Sequence, residues 1–213
     1  MESVCYIFGA REPGRIAFAP DRPALVIAAD AGLTHLNAQG VVPDLVVGDF
    51  DSLGRIPEGS NVLRHPVEKD DTDMLLAVRE GLARGCTQFV LYGGLGGRLD
   101  HTLANLQTLV FLARQNASGW LLGDGLAVTA LRNGRLSFGP EHRGTVSVFC
   151  AGADARGVDL EGLYYPLQDA VLTSGFPLGV SNQFTGAPAR VTVREGELLL
   201  LWEEAPEDLV RRL

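Results

Sequence analysis

The chain has 213 residues, 46% of them hydrophobic and 21% charged, which allows a sizeable core and excludes a disordered chain. Its formal charge of −8 argues against a nucleic-acid backbone or an anionic membrane as the main partner, but is compatible with a phosphorylated small molecule held through a metal. Cys5, Cys86 and Cys150 are far apart and form no CxxC, so they predict core hydrophobes rather than a disulfide framework or a zinc site. Met-Glu-Ser at the start lacks a basic flank, and no apolar run approaches ~20 residues, which predicts a cytoplasmic protein with neither signal peptide nor membrane span.

Val4 to Phe8 reads as a first strand. A Gly/Pro/Arg-rich loop follows from Gly9 to Pro23, in which Arg11 and Arg15 are either ligands or solvated. The second apolar run, Leu25 to Ala29, leads into Asp30-Ala31-Gly32. Asp30 is either a helix cap or a group reaching toward a metal or nucleotide. Leu33 and Leu36 start a short helix that ends near Gly40. Leu45-Val46-Val47 forms a third strand and runs into Gly48-Asp49-Phe50-Asp51-Ser52. In extended backbone Asp49 and Asp51 share one face. Like charges that close are costly unless a cation sits between them, and Mg²⁺ typically borrows one or two carboxylates, completing its shell with water and phosphate. Taken alone, the stretch reads better as an Asp-rich turn.

Val62 to His65 is a weaker strand candidate. Lys69-Asp70-Asp71-Thr72-Asp73 opens a helix carrying Met74, Leu75, Val78 and Leu82 at helical spacing, with Thr72 or Asp71 as its cap and Gly85 beyond its end. The helix dipole explains one or two acidic residues there; three, beside Lys69, exceed that need and point to function. Phe89 to Tyr92 is a strand, and Gly93 to Arg98 a tight glycine-rich loop. It is neither a dinucleotide fingerprint, since Leu99 stands where the third glycine belongs, nor a P-loop. It still allows backbone N–H groups to approach a phosphate, with Arg98 as a forked donor and Asp100 and His101 directly after. A helix from Asp100 to about Arg114 places Leu103, Leu106, Val110 and Ala113 on one face. Trp120 to Leu122 and Leu126 to Leu131 read as strands. The alternation predicts an α/β N-terminal domain with a mainly parallel sheet, over residues 1–132, and its polar motifs fall at the carboxyl ends of strands, where such sheets bind ligands.

The pattern changes after Arg132. Asn133-Gly134 is a hairpin signal, and Glu195-Gly196 a second tight turn. Arg135 to Phe138, Thr145 to Cys150, Val158 to Leu160, Leu163 to Leu167, Ala170 to Thr173, Arg190 to Arg194 and Glu197 to Trp202 are short runs that predict an all-β sandwich over residues 133–213. Ser181-Asn182 most simply makes a turn, and Trp202 most simply fills core; facing a cleft they would suit a heteroaromatic ligand.

Six segments stand in one order: Asp30-Ala31-Gly32; Pro43-Asp44-Leu45 to Gly48-Asp49-Phe50-Asp51-Ser52; Lys69-Asp70-x-Thr72-Asp73; Gly93-Gly94-x-Gly96-Gly97-Arg98-x-Asp100-His101; Gly162-Leu163-x-Tyr165-Pro166-Leu167; and Ser181-Asn182. Together they resemble thiamine pyrophosphokinase of the bacterial type, over nearly the whole chain. The resemblance implies transfer of pyrophosphate from ATP to the thiamine hydroxyl, giving thiamine diphosphate and AMP, in a homodimer whose active sites join the N-terminal domain of one subunit to the C-terminal domain of the other. It implies that Asp49, Asp51 and Asp73 hold Mg²⁺ and the phosphates, and that Asp30, Lys69, Asp70, Arg98, Asp100 and His101 complete the nucleotide and catalytic site. Ser181, Asn182 and Trp202 would hold thiamine, from the partner subunit. Asp73 and Asp100 are both candidates to accept the hydroxyl proton. A pyrophosphokinase for another hydroxymethyl heterocycle such as a pterin, or a non-catalytic nucleotide or thiamine sensor, would share the N-terminal motifs; Ser181-Asn182 and Trp202 favour thiamine. One departure is Ala31, where the family commonly has glycine.

Overall fold

The structure, a computed structural model, describes residues 3–19, 22–50, 61–64 and 71–213. The N-terminal half alternates β1 (Val4–Phe8), β2 (Ala24–Ala29), α1 (Gly32–Ala38), β3 (Leu45–Gly48), β4 (Val62–Arg64), α2 (Asp73–Ala83), β5 (Gln88–Tyr92), α3 (Leu99–Arg114), β6 (Ser118–Gly123) and β7 (Leu126–Arg132). The second half contributes β8 (Arg135–Phe138), β9 (Thr145–Cys150), β10 (Ala155–Glu161), β11 (Leu167–Leu172), β12 (Gly179–Gln183), β13 (Ala189–Glu195), β14 (Glu197–Glu203) and α4 (Pro206–Arg212).

Among the described residues, ten strands form one sheet in the order β12-β9-β14-β7-β6-β5-β1-β2-β3-β4, and β11-β10-β13-β8 form a second. From β4 to β6 every pairing is parallel; from β6 to β12 every pairing is antiparallel. The α/β half and the antiparallel half therefore share a continuous sheet, and the sandwich arises where the four-stranded sheet covers part of it. All five residues of β1 are buried, because both faces are covered. Tyr6 and Phe8 join the core shared with the sandwich, while Cys5 and Ile7 face α2 and α3. Cys5 and Cys86 are buried in that helix-side core, and Cys150 is half-buried with its thiol donating to the Ala153 carbonyl at 2.9 Å.

Four local expectations change. Asn133-Gly134 makes a turn, but β7 and β8 lie in different sheets, so it is a corner rather than a hairpin. It meets the second corner, Glu195-Gly196, through Asn133 N–H to Gly196 O at 3.2 Å and Gly196 N–H to Asn133 Oδ1 at 2.9 Å. The two corners carry the chain between sheets side by side. Leu163 makes only an isolated bridge to Phe184, and a single strand, β11, replaces the two runs read there. Ser181-Asn182 lies within β12, an edge strand whose register shifts between Gly179 and Asn182. Finally, α3 buries Asn105, Thr108, Leu109 and Leu112, leaving Leu103 53% exposed. Two polar residues occupy the inner face because each is satisfied there: Asn105 donates to Gly94 O and Thr108 to Ala104 O.

Arg114 at the end of α3 ties that helix to β14. It donates two hydrogen bonds of 2.6 Å to the Glu197 carboxylate, and Arg132 approaches the same group at 3.7 Å. The guanidinium holds Glu197 below the ordinary carboxylate value of 4.5. A carboxylate with a lowered folded pKa stabilises above its unfolded value and loses that contribution as pH falls through the folded one. Glu197→Gln should lower Tm by ~3–6 °C at pH 7, the equivalent of ~1–2 kcal/mol. In calorimetric scans the difference from wild type should be full above the ordinary 4.5 and shrink as the pH falls below it through the lowered folded value; a difference undiminished by acid would place the loss in packing instead.

Candidate active site

In the parallel half the strand order reverses direction between β1 and β5, and the chain leaves these neighbours on opposite sides. Such a switch point opens a crevice at the carboxyl ends of the strands. A cleft of about 510 Å³ lies there. Its walls come from Gly9–Arg11 after β1, Asp30 after β2, Asp49 after β3, Thr72–Met74 at the start of α2, Gly93–Arg98 after β5, and His101 and Asn105 of α3.

The acidic wall is built from three loops. Asp30 is 5% exposed and has φ 47°, and its backbone N–H donates to Val47 O at 2.8 Å. It is not the cap of α1: the N-cap is Ala31, which makes no side-chain cap bond. Ala31 has φ −61°, an ordinary right-handed value, so its Cβ is tolerated where the family commonly has glycine. Gly32 is the residue that must lack a side chain, since a Cβ there would run into the Phe8 carbonyl. Asp49 follows β3 directly and lines the cleft. Phe50 has φ 65° and is buried, so the backbone is no longer extended there. The rule that residues two apart share a face therefore does not carry from Asp49 to Asp51. Thr72 caps α2, accepting from Leu75 N–H at 3.2 Å, and this places Asp73 in the first turn at the cleft. Asp71 is turned to Arg79 at 3.3 Å. Asp51, Lys69 and Asp70 lie outside the described residues.

The basic wall is the glycine-rich loop and what surrounds it. Asn105, which sequence reasoning passed over, pins this loop to α3 by donating to Gly94 O at 2.8 Å. Its signal was only a polar residue on a helix face, easily taken for solvated. Arg98 is the N-cap residue of α3 and lines the cleft with His101, whereas Asp100 stands just outside it. Arg98 grips Asp100 through Nε to Oδ1 at 3.2 Å and NH2 to Oδ2 at 2.6 Å. That grip, with the His101 backbone N–H, pulls the Asp100 carboxyl down to about 2. The Gly9–Pro23 loop is held by aromatic hydroxyls. Tyr92 O–H donates to Ala17 O at 3.0 Å, and Tyr6 Oη accepts from Ala19 N–H at 2.7 Å.

The sandwich residues fall elsewhere. Ser181 is exposed at φ 57°, with its backbone N–H donating to Ser147 Oγ at 3.0 Å. Asn182 is buried and spends both amide atoms on Tyr165: Oδ1 accepts from its N–H at 2.9 Å and Nδ2 donates to its O at 2.7 Å. Trp202 is 3% exposed, edge-on to Phe138 at 5.3 Å, and its Nε1–H donates to Glu204 at 2.9 Å. Its ring is covered in this chain, so it offers a ligand no open face here. None of the three lines the cleft with Asp49 and Asp73.

Among the described residues no three acidic, His or Cys groups converge tightly enough to hold a metal ion by themselves. The acidic groups of the cleft, Asp30, Asp49 and Asp73, offer carboxylate oxygens, which suit Mg²⁺, an ion that takes few protein ligands and completes its shell with phosphate and water. The Arg98–Asp100 grip has a direct readout. In Arg98→Ala, the Asp100 carboxyl followed by NMR should titrate near the ordinary 3.8 rather than about 2; an unchanged midpoint would mean that the guanidinium does not set it.

Comparison with known proteins identifies the family and the fold. Residues 21–121 match the family model described as thiamin pyrophosphokinase, catalytic domain, and residues 135–198 match thiamin pyrophosphokinase, vitamin B1 binding domain. The chain is 28% identical over 188 residues to the thiamine pyrophosphokinase of Bacillus subtilis strain 168, covering 85% of this chain and 88% of the other. The crystal structure of the Bacillus subtilis thiamine pyrophosphokinase superposes with a TM-score of 0.82 at 25% identity, over 95% of this chain and 99% of that one. Two more distant structures share the fold: a thiamin pyrophosphokinase family protein of Enterococcus faecalis (TM-score 0.79, 23% identity, 96% and 100% covered) and the yeast enzyme (0.72, 14%, 100% and 89%). With two family models spanning most of its length and the fold matching throughout, the chain belongs to the thiamin pyrophosphokinase family of enzymes.

Proposed function

We propose that this enzyme transfers the pyrophosphoryl group of ATP to the hydroxyl of thiamine, giving thiamine diphosphate and AMP. The observation that carries the reading is the meeting of Asp30, Asp49 and Asp73 with Arg98 and His101 in one cleft, in a chain of this family. Its volume suits a nucleotide. Residues 1–132 would then hold nucleotide and metal, and residues 133–213 thiamine.

Pyrophosphoryl transfer depends on positioning and charge stabilisation more than on covalent chemistry by the protein. Asp49 and Asp73, with Asp51, would hold Mg²⁺, which neutralises polyphosphate charge when bound. Arg98, His101 and the N–H groups of the glycine-rich loop receive phosphate oxygens at the start of α3, and Lys69 and Asp70 complete the nucleotide site. Asp30, buried beside Gly48, fixes the floor. The thiamine oxygen attacks the β-phosphorus, the bond from that phosphorus to the oxygen shared with the α-phosphate breaks, and AMP leaves with that oxygen. Of the two candidate bases, Asp73 is favoured to take the hydroxyl proton, because it lines the cleft. Asp100 lies outside it and, at about 2, is a weak base.

Thiamine would be held by Ser181 of a second copy, with Asn182 and Trp202 acting from behind to fix its strand and core. A homodimer of this kind is supported by the cluster of Tyr164, Tyr165, Phe176, Leu178 and Val180, large apolar residues left exposed around β11 and β12, each an outer strand of its sheet. No helix among the described residues is long and apolar enough to cross a membrane, and a cytoplasmic place is proposed because ATP is made available there.

Incubation with thiamine, ATP and Mg²⁺ should yield AMP and thiamine diphosphate in equal amounts; ADP as the product, or turnover with a pterin alcohol in place of thiamine, would overturn the reading. Asp51→Asn should lower kcat by ~10²–10³ at saturating Mg²⁺ with the fold intact. Phe176→Asp should shift the sedimenting species from dimer to monomer and abolish thiamine turnover; a fully active monomer would remove the shared site.

A further inference from the structure

Arg11 is the cleft cation to which nothing so far assigns a task. It stands two residues beyond Gly9, in the loop after β1, and lines the cleft. Its backbone is fixed: the N–H donates to Gly93 O at 3.2 Å, and the neighbouring Ala10 carbonyl meets His35 Nε2 at 2.9 Å. Its side chain lies on the loop itself. A Cβ built on Gly96 would stand 3.0 Å from the Arg11 Cζ and 3.2–3.3 Å from both terminal nitrogens. Glycine at 96 thus serves two needs: it accepts φ 74°, and it leaves the guanidinium a seat. Among the described residues the same guanidinium pairs with one carboxylate, Asp124, at 3.4 Å across exposed surface. Arg98, by contrast, already presents two donors to Asp100.

We propose that Arg11 is a polyphosphate clamp. Its guanidinium closes on the phosphate oxygens of Mg·ATP from the β1 side while the N–H groups of the glycine-rich loop and Arg98 hold them from the β5 and α3 side. Asp124, beyond the end of β6, competes with phosphate for the same donors. An exposed ion pair at that distance is weak and exchanges readily for a charged, forked phosphate contact. The proposal rests on the reading of the cleft as an ATP site, and it adds a residue to that site and a carboxylate that tunes it.

The test is a double-mutant cycle read by calorimetric titration of Mg·ATP, which needs no turnover, together with steady-state kinetics. Arg11→Ala should weaken Mg·ATP binding about 10-fold or more and raise the KM for ATP alike, with the KM for thiamine changed less than about two-fold. Arg11→Lys should restore only part, since a point charge lacks the fork. Asp124→Asn should tighten Mg·ATP binding about two- to five-fold in the wild-type background and leave Arg11→Ala unchanged. Unaltered titration by Arg11→Ala in a protein that makes thiamine diphosphate overturns the clamp alone. A wild-type protein that binds no Mg·ATP overturns the clamp and the function together. Equal effects of Asp124→Asn with and without Arg11 would remove Asp124 from the competition.

Discussion

The site depends on one backbone pairing carried past the ends of two strands. β1 and β5 pair in register from Val4 and Gln88 to Phe8 and Tyr92. The ladder then continues through Gly9 N–H to Tyr92 O at 2.8 Å and Arg11 N–H to Gly93 O at 3.2 Å. These bonds hold the loop after β1 against the glycine-rich loop after β5 at the switch point of the sheet. Each further part of the cleft is referred to that seam. Asn105 fastens the glycine-rich loop to α3, Tyr92 and Tyr6 fasten the β1 loop to the core below it, and the Phe8 carbonyl lies against Gly32, setting the start of α1 beside Asp30.

Around that seam the charges are arranged by sign. Carboxylates arrive from β2, β3 and α2 on one side, and guanidinium groups and helix N–H groups from β1, β5 and α3 on the other. A chain of charge −8 draws a polyphosphate poorly by its overall field. Local geometry has to overcome that field. The acidic wall suits a hard cation and the basic wall suits phosphate oxygens, which is why a metal–nucleotide complex is the ligand proposed for the cleft. The Arg98–Asp100 pair keeps an exposed guanidinium oriented at the rim, and its carboxylate pays with its basicity.

Most of the α/β half was legible because buried parallel strands read as continuous apolar runs; β1 stands where the sequence placed it, and of the two caps read for α2, Thr72 or Asp71, Thr72 is the one. The second half was legible as strands but not as pairings. Asn133-Gly134 has hairpin chemistry, yet local turn chemistry does not say which sheet the next strand joins. β12 was hidden because Ser181 at φ 57° and Asn182 carry turn residues inside an edge strand. The inner face of α3 was misread because apolarity marks burial only where polar side chains lack partners, and Asn105 and Thr108 have them. At the site, Asp30, Asp49, Asp73, Arg98 and His101 were found from spacing and resemblance, and the structure brings them together. Asn105 was not singled out and Arg11 was left as either a ligand or solvated, because what assigns them a place is contact across the fold rather than any neighbour in sequence. Trp202 and Asn182 show the converse: residue types suited to a ligand are spent on the sandwich interior.

The central claim is that carboxylates gathered at the strand ends make this cleft a site for metal-bound nucleotide. The most direct measurement is calorimetric titration of ATP with Mg²⁺ and with EDTA, in wild type and in Asp49→Asn. The account predicts that Mg²⁺ strengthens ATP binding to wild type by about 10-fold or more and that Asp49→Asn removes most of that gain while binding to metal-free ATP is unchanged or stronger. Equal affinity with and without Mg²⁺, or a full Mg²⁺ gain in Asp49→Asn, would contradict it.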